Sequence, residues 1–232
     1  MMTDALDPDN VGDYLISARS FGEYLDMFDL ADSEIRGSVL DCPGGGSSFT
    51  AEAAARGAQA VAADPVYAME RDELARLVIA ETERGTAHSV AGSDRYDWSY
   101  YGGPAGHRAM RQESARTFAA DVAAHPARYV AAALPALPFA DGQFDLVLSS
   151  HLLFTYADRL DLEFHRSALM ELVRVAAGEA RVFPLVAQGG QALNTLIGAL
   201  VTGLPAVGID VELRRVPYEF QRGGHTMMVL RA

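Results

Sequence analysis

The chain has 232 residues, 50% of them apolar, and a formal charge of −12. This length and apolar content allow one substantial core, which predicts a single main domain. The acidic balance argues against a nucleic-acid partner, because such proteins usually carry a basic surface. No uncharged apolar run reaches bilayer-spanning length and the acidic N-terminus has no signal-peptide pattern, so we expect no membrane partner and a cytoplasmic location.

Several residue types that support common chemistries are missing or rare. All 19 basic residues are arginine, which excludes lysine nucleophiles, pyridoxal Schiff bases and the P-loop lysine. Cys42 is the only cysteine, so disulfides and multi-cysteine metal sites are excluded. The six histidines form no HExxH-type pair. We therefore expect no metal.

The first predicted element is a helix over residues 10–32, on which Phe21, Tyr24, Leu25 and Phe28 share one apolar face. We assign residues 1–36 to an N-terminal helical cap and residues 37–232 to the main domain. Tyr24 and Tyr14 are expected to pack in the core, although a role as a lid over a ligand is the alternative.

Strand and helix patterns then alternate along the chain. Nearly uniform apolar runs, typical of strands covered on both faces, occur at residues 38–40, 58–65, 127–134, 144–151 and 180–186. A helix capped by Ser47 or Ser48 follows the first of these, and an amphipathic helix covers residues 159–177. This alternation predicts an α/β fold with a parallel sheet. The last two strands, 208–216 and 225–231, are too close for a crossover helix and are predicted to be antiparallel.

An insertion at about residues 86–126 lengthens one crossover. About 60 residues separate the strands at 58–65 and 127–134, where a βαβ unit needs about 30 in all. We predict a helix over 69–85, ending at Gly85, and another over 107–125. The loop between them, 94–106, holds the only tryptophan and three tyrosines. It is either a lid or binding loop, or a loop packed by its own aromatic side chains.

A glycine-rich turn, Asp41 to Gly46, follows the first strand. A dinucleotide fingerprint is disfavoured, because Phe49 stands where its third glycine belongs and Asp41 would repel a diphosphate. A nicotinamide dehydrogenase is therefore a remote alternative. A carboxylate beside bare backbone suits a cationic amino-acid group with a sulfonium nearby. Asp64, 23 residues later at the tip of the next strand, can accept hydrogen bonds from both hydroxyls of an adenosine ribose.

The segments VLDCPGGGSSF, AVAADP and LPFADGQFDLVLSSHLLF resemble motifs of class I S-adenosylmethionine-dependent methyltransferases, and the resemblance covers about residues 37–232. It implies a Rossmann-like, seven-stranded, mostly parallel sheet with an antiparallel last strand and helices on both faces. It also implies S-adenosylmethionine as cofactor, bound across the carboxyl ends of the first two strands.

The resemblance also implies roles for individual residues. Asp41 and the glycines would hold the methionine portion, and Asp64 would hold the ribose. The family often has an Asp four residues before LPF, where this chain has Ala133, so adenine recognition would rest on backbone groups of Ala133 and Leu134. The complete predicted cofactor site is Asp41, Cys42, Pro43, Gly44, Gly45, Gly46, Ser48, Asp64, Pro65, Ala133, Leu134, Ser149 and Ser150.

His151, Tyr156 and Tyr218 are the predicted catalytic residues. His151 follows the fourth strand and is the candidate general base, since its ordinary pKa lies near neutrality. The alternative is that it holds backbone carbonyls or packs on the ligand. Tyr218, between the last two strands, can face a sulfonium through a cation–π contact. Arg19, the only base in an acidic segment, could clamp a substrate carboxylate, with a surface ion pair as the default.

Three functions are compatible with this sequence. The leading hypothesis is methyl transfer to a small-molecule acceptor, in secondary metabolism. The second is cyclisation of S-adenosylmethionine itself, which releases methylthioadenosine and forms azetidine-2-carboxylate without any acceptor. The third is a non-enzymatic cofactor-binding protein on the same fold.

Overall fold

One sheet forms the centre of the computed structural model, which describes residues 14–232. Its strands in the described chain are Ser38–Asp41 (β1), Gln59–Ala63 (β2), Tyr129–Val130 (β3), Phe144–Ser150 (β4), Ala176–Phe183 (β5), Asp210–Arg215 (β6) and Thr226–Arg231 (β7). Their order is β3-β2-β1-β4-β5-β7-β6. Neighbouring strands from β1 to β5 are parallel, whereas β7 runs antiparallel to β5 and β6. The predicted Rossmann-like fold is confirmed.

Helices cover both faces of this sheet. They are Phe21–Met27 (α1), Phe49–Ala55 (α2), Arg71–Ala91 (α3), Pro104–Ala124 (α4), Leu162–Val175 (α5) and Asn194–Gly203 (α6). Along β1, Leu40 packs in one apolar cluster with Leu169 of α5, while its neighbour Val39 packs in another with Phe49 of α2. This alternation is the strand period of two. In residues 14–232 no helix has both the length and the apolar content to cross a bilayer.

The predicted helix over 10–32 is much shorter in the structure. Its first residues lie outside the described chain, and residues 14–20 are not helical. Ser20 begins α1 with a capping box, because its hydroxyl accepts from the Glu23 N–H while the Glu23 carboxylate accepts from the Ser20 N–H. Asp29, with a φ of 48°, lies just beyond the helix end. Residues 14–19 therefore lie outside the helix, and we name them the strap. Four of them line a cavity at the carboxyl ends of the strands.

Two other boundaries were wrong. Gly85 does not end its helix, because α3 continues to Ala91. A Cβ at Gly85 would lie 2.9 Å from Leu15 Cδ2, so the small residue allows the strap to approach the helix. The strand predicted at 127–134 pairs only over Tyr129–Val130. After it the chain turns back between Ala133 and Ala136, around Pro135, which has no N–H for a ladder.

The aromatic loop between α3 and α4 packs on the loop between β6 and β7. The Asp97 N–H donates to the Phe220 carbonyl at 2.6 Å, and the Tyr96 and Phe220 rings stack at 4.6 Å. Trp98 meets Phe220 edge to face at 5.2 Å. Within the loop the Tyr96 and Trp98 rings are 5.9 Å apart and the Tyr100 and Tyr101 rings 5.0 Å, so the loop is packed by its own aromatic side chains as well as by Phe220. Tyr96 also lines a small cavity beside the strap.

Candidate functional site

A first cavity of about 290 Å³ lies at the carboxyl ends of the parallel strands. Open α/β sheets bind ligands at this edge. The structure brings most of the predicted cofactor site together here: the lining residues include Cys42, Pro43, Gly44, Gly45, Asp64, Pro65, Ala133, Leu134, Ser150, His151 and Tyr156. Five predicted site residues do not line it, namely Asp41, Gly46, Ser48, Ser149 and Tyr218.

Glycine is required for different structural reasons at each of the three positions in the turn after β1. A Cβ at Gly44 would lie 2.5 Å from Tyr67 Oη and 2.8 Å from Ala62 Cβ, and one at Gly46 would overlap the Val78 side chain. Gly45 has a φ of +52°, which favours glycine. Packing of the chain on itself therefore requires glycine at 44 and 46, while Gly44 and Gly45 also face the cavity.

Asp41 lies behind the turn and acts through a neighbour. It is 1% exposed, and both carboxylate oxygens are 3.0 Å from the Tyr24 hydroxyl that donates to them. Burial raises the pKa of Asp41 well above its usual value; the Tyr24 hydrogen bond opposes this rise, and the charge of Asp64 adds to it. Tyr24 lines the first cavity, so Asp41 fixes a tyrosine on the cavity wall.

Asp64 lies on the wall itself and is held by two backbone groups. Its Oδ1 accepts from the Val66 N–H and its Oδ2 from the Gly45 N–H, each at 3.0 Å. Burial raises the pKa of Asp64, and these two hydrogen bonds lower it in part. Each oxygen keeps further capacity to accept, so the carboxylate can still take hydrogen bonds from a diol.

The strap covers the first cavity. The Leu15 N–H donates to the Tyr156 hydroxyl at 2.8 Å, and the Ser17 carbonyl accepts from the Gly46 N–H at 3.0 Å. The Arg19 carbonyl accepts from the Ser48 N–H at 3.0 Å. Ser48 and Gly46 thus support the strap. The sequence analysis assigned this segment to a helix, because the apolar spacing of the residues after it is helical. The Ser20–Glu23 capping box is the sequence signal that the helix begins only at residue 21.

His151 has the most unusual backbone in the site. Its φ is +53°, uncommon for a residue with a side chain, and its N–H donates to the Phe183 carbonyl at 2.7 Å. Its Nδ1 is 2.7 Å from the Ser150 hydroxyl. Burial, and then the charges of Arg19 and Arg111, hold the pKa of His151 well below its usual value. The imidazole is therefore neutral near pH 7.

A second cavity of about 90 Å³ adjoins the first, and Leu15, Ser17, His151 and Tyr156 line both. A third, of about 50 Å³, shares Arg19, Gly85, Ser89 and Phe220 with the second. The strap and His151 therefore separate a larger chamber from a pair of small ones.

Tyr218 lies behind Arg19 in a buried polar cluster, which we define as Arg19, Glu23, Tyr101, Arg111 and Tyr218. Its hydroxyl is 2.5 Å from that of Tyr101 and donates to Glu23 Oε1 at 3.1 Å. The Arg19 Nη1 donates to Tyr218 Oη at 3.4 Å. Sequence reasoning did not anticipate Glu23 or Arg111 in this cluster, because nothing local links positions so far apart.

The groups that line the first cavity match the parts of S-adenosylmethionine. The bare backbone of Gly44 and Gly45 allows a close approach, and Asp64 offers carboxylate oxygens for a diol. Ala133 and Leu134 offer an apolar wall for a flat base. Tyr14 and Tyr156 meet edge to face at 4.7 Å, which places aromatic rings beside the junction of the cavities.

Residues 85–183 match the model of a family described as "Methyltransferase domain". The chain is 25% identical over 224 residues to an uncharacterized protein of Methanocaldococcus jannaschii, covering 96% of this chain and 98% of that one. A putative S-adenosylmethionine-dependent methyltransferase from Methanococcus maripaludis is similar in structure, with 13% identity, 91% and 82% coverage and a TM-score of 0.43. Another similar structure is a 16S rRNA (adenine(1408)-N(1))-methyltransferase from Catenulisporales acidiphilia, at 16% identity, 87% and 92% coverage and a TM-score of 0.43.

The family match confirms the resemblance to S-adenosylmethionine-dependent methyltransferases. It contains α4, β3, β4, α5 and β5, together with His151 and Tyr156. The glycine turn and Asp64 lie before its first residue, so the roles of those residues depend on the geometry of the first cavity.

Proposed function

We propose that this chain, an enzyme of the S-adenosylmethionine-dependent methyltransferase fold, transfers the methyl group of its cofactor to a small-molecule acceptor. The observation that supports this assignment is the junction of two cavities at His151 and Tyr156. The first cavity suits the cofactor, and the second offers separate space for an acceptor beside it.

The second cavity favours a small acceptor. Its volume is about 90 Å³, and it lies between the strap, α3 and the loop before β7. A base within a folded nucleic acid would have to leave its stack to reach such a chamber. The formal charge of −12 also opposes a polyanionic partner.

His151 is the proposed general base. When bound, S-adenosylmethionine supplies a methyl carbon made electrophilic by the positive sulfur. An acceptor atom that bonded to this carbon would displace the sulfur, which would keep the electron pair of the broken carbon–sulfur bond. His151 takes the proton that the acceptor loses, at the ring nitrogen that is not bonded to Ser150. The neutral imidazole is ready for this role, and the Ser150 contact fixes its orientation.

Cyclisation of S-adenosylmethionine is the alternative to methyl transfer, and an experiment can distinguish the two reactions. It needs no acceptor chamber, so the second cavity favours transfer. Purified protein incubated with S-adenosylmethionine alone should leave it unreacted. Addition of a small-metabolite extract should produce S-adenosylhomocysteine and one product heavier by a methyl group, detected by mass spectrometry. Methylthioadenosine formed without the extract would overturn the transfer proposal.

A further inference from the structure

Buried polar atoms without partners are concentrated around the second and third cavities. Within residues 14–232, six buried side-chain nitrogen or oxygen atoms lack a hydrogen-bond partner. Four of them belong to residues that line these two cavities: Arg19 Nε, Thr86 Oγ1, His107 Nδ1 and Thr155 Oγ1. Buried polar groups are nearly always hydrogen-bonded, so these four atoms require partners from the contents of the two small cavities.

All four groups can donate a hydrogen bond. The Arg19 nitrogen can only donate, and the two threonine hydroxyls can donate or accept. Burial, and then the charge of Arg111, lowers the pKa of His107 to about 3, so its ring is neutral at pH 7. Because His107 Nε2 accepts from Arg111 Nε at 3.2 Å, the proton of the ring is on Nδ1. The ligand that matches four donors is one that mainly accepts.

The buried polar cluster also carries one positive charge in excess. Arg19 and Arg111 share a single carboxylate, that of Glu23. Arg111 holds it at 2.5 Å, whereas the Arg19 Nη1 is 3.5 Å away. Glu81, the carboxylate that lines the third cavity, is paired with Arg84 at 2.6 Å. Arg19 is 8% exposed, and a buried charge is costly until a counter-charge approaches.

We propose that Arg19 binds a carboxylate carried by the acceptor, in the second and third cavities. This inference rests on the proposed function, because it takes the second cavity as the acceptor chamber. One surplus positive charge matches a monoanionic carboxylate better than a phosphate dianion. Arg19 lines both small cavities and does not line the first, so the carboxylate belongs to the acceptor and not to the methionine end of the cofactor.

The first test uses sodium propionate as probe and propionamide as its uncharged match, at constant ionic strength. Thermal shifts of the full chain give an apparent Kd for each. Propionate should stabilise the wild type and propionamide should not. Arg19→Gln should raise the apparent Kd for propionate at least about 30-fold, because the loss of one partner of a buried charge pair usually weakens binding by this much or more. Arg19→Lys should restore part of the binding. Arg108→Gln, whose side chain is 55% exposed, is the matched control and should bind as the wild type does.

The proposal fails if propionate stabilises Arg19→Gln as well as the wild type, or stabilises neither. Stronger stabilisation by inorganic phosphate would overturn the carboxylate assignment. The source of the carboxylate is tested with S-adenosylhomocysteine and methylthioadenosine, since only the former carries one. Arg19→Gln should bind S-adenosylhomocysteine and methylthioadenosine as tightly as the wild type does. If only its affinity for S-adenosylhomocysteine fell, Arg19 would bind the carboxylate of the cofactor and not that of the acceptor. If the wild type bound propionate but not S-adenosylmethionine, the proposed function would be wrong, while Arg19 would still be a carboxylate-binding residue.

Discussion

Replacement of Glu23 by glutamine should destabilise the protein severely. The Glu23 side chain is fully buried, and its carboxylate accepts from Arg111 at 2.5 Å, Tyr101 at 2.6 Å and the Ser20 N–H at 2.8 Å. Burial alone would raise its pKa, but Arg111 and then Arg19 lower it from 4.5 to about 2. That difference corresponds to about 3 kcal/mol of stability, present above pH 4.5 and lost as the pH falls toward 2.

Glu23→Gln keeps the shape but leaves two buried guanidinium groups without a counter-charge. We expect a loss of about 3–5 kcal/mol in the free energy of unfolding at pH 7. Urea denaturation followed by Trp98 fluorescence measures it, and the gap between variant and wild type should narrow at about pH 3. Glu52→Gln is the control, because the pair of Glu52 with Arg56 is 35% and 49% exposed and should contribute less than about 1 kcal/mol. A Glu23→Gln loss below about 1 kcal/mol, or one that does not change with pH, would refute this reasoning.

Substitutions at three further positions test the site. Gly46→Ala should cost about 1–3 kcal/mol of stability by urea denaturation, because its Cβ overlaps Val78, whereas Gly198→Ala in α6 meets no atom within 4 Å and should be neutral or stabilising. Asp41→Asn should raise the Tm of the ligand-free protein, since burial raises the pKa of Asp41 and makes its charge costly. Asp41→Leu has no oxygen to accept from the Tyr24 hydroxyl and should weaken S-adenosylmethionine binding in calorimetry; an unchanged affinity contradicts the role of the Tyr24 contact. His151→Asn should lower kcat about 100- to 10,000-fold with unchanged cofactor Kd. Because burial holds the pKa of His151 well below its usual value, wild-type kcat should be flat around pH 7, and a rise with a midpoint near 6.5 would count against this.

The sheet was readable from the sequence because its strands are covered on both faces. In β4, Leu146 and Val147 are buried in different clusters, so the middle of the strand is apolar on both faces and stands out in the sequence. The positions of Gly44, Gly45 and Asp64 at the strand ends follow from the same regularity, since parallel strands end at one edge. The other predicted residues that line the first cavity also lie at or just beyond the ends of these parallel strands, where sequence pattern can place them.

The strap and the buried polar cluster could not be read in the same way. Their contacts join residues far apart in the chain, as with Arg19 and Tyr218, 199 positions away, or Leu15 and Tyr156. No local period encodes such pairs. Arg19 looked like a surface residue in an acidic segment, and only the tertiary structure reveals that it is buried beside a cavity. Tyr218 was predicted to face a sulfonium, but its hydroxyl is bonded to Glu23 and Tyr101 in the buried polar cluster, and its side chain lines neither the first nor the second cavity.

Calorimetric titration with S-adenosylmethionine tests most directly whether the first cavity is the cofactor site. The wild type should bind one molecule per chain. Asp64→Asn should weaken binding by at least about 10-fold, since a hydrogen bond to a charged group contributes about 1.5–3 kcal/mol. Absence of binding to the wild type, or an unchanged affinity in Asp64→Asn, would contradict the assignment.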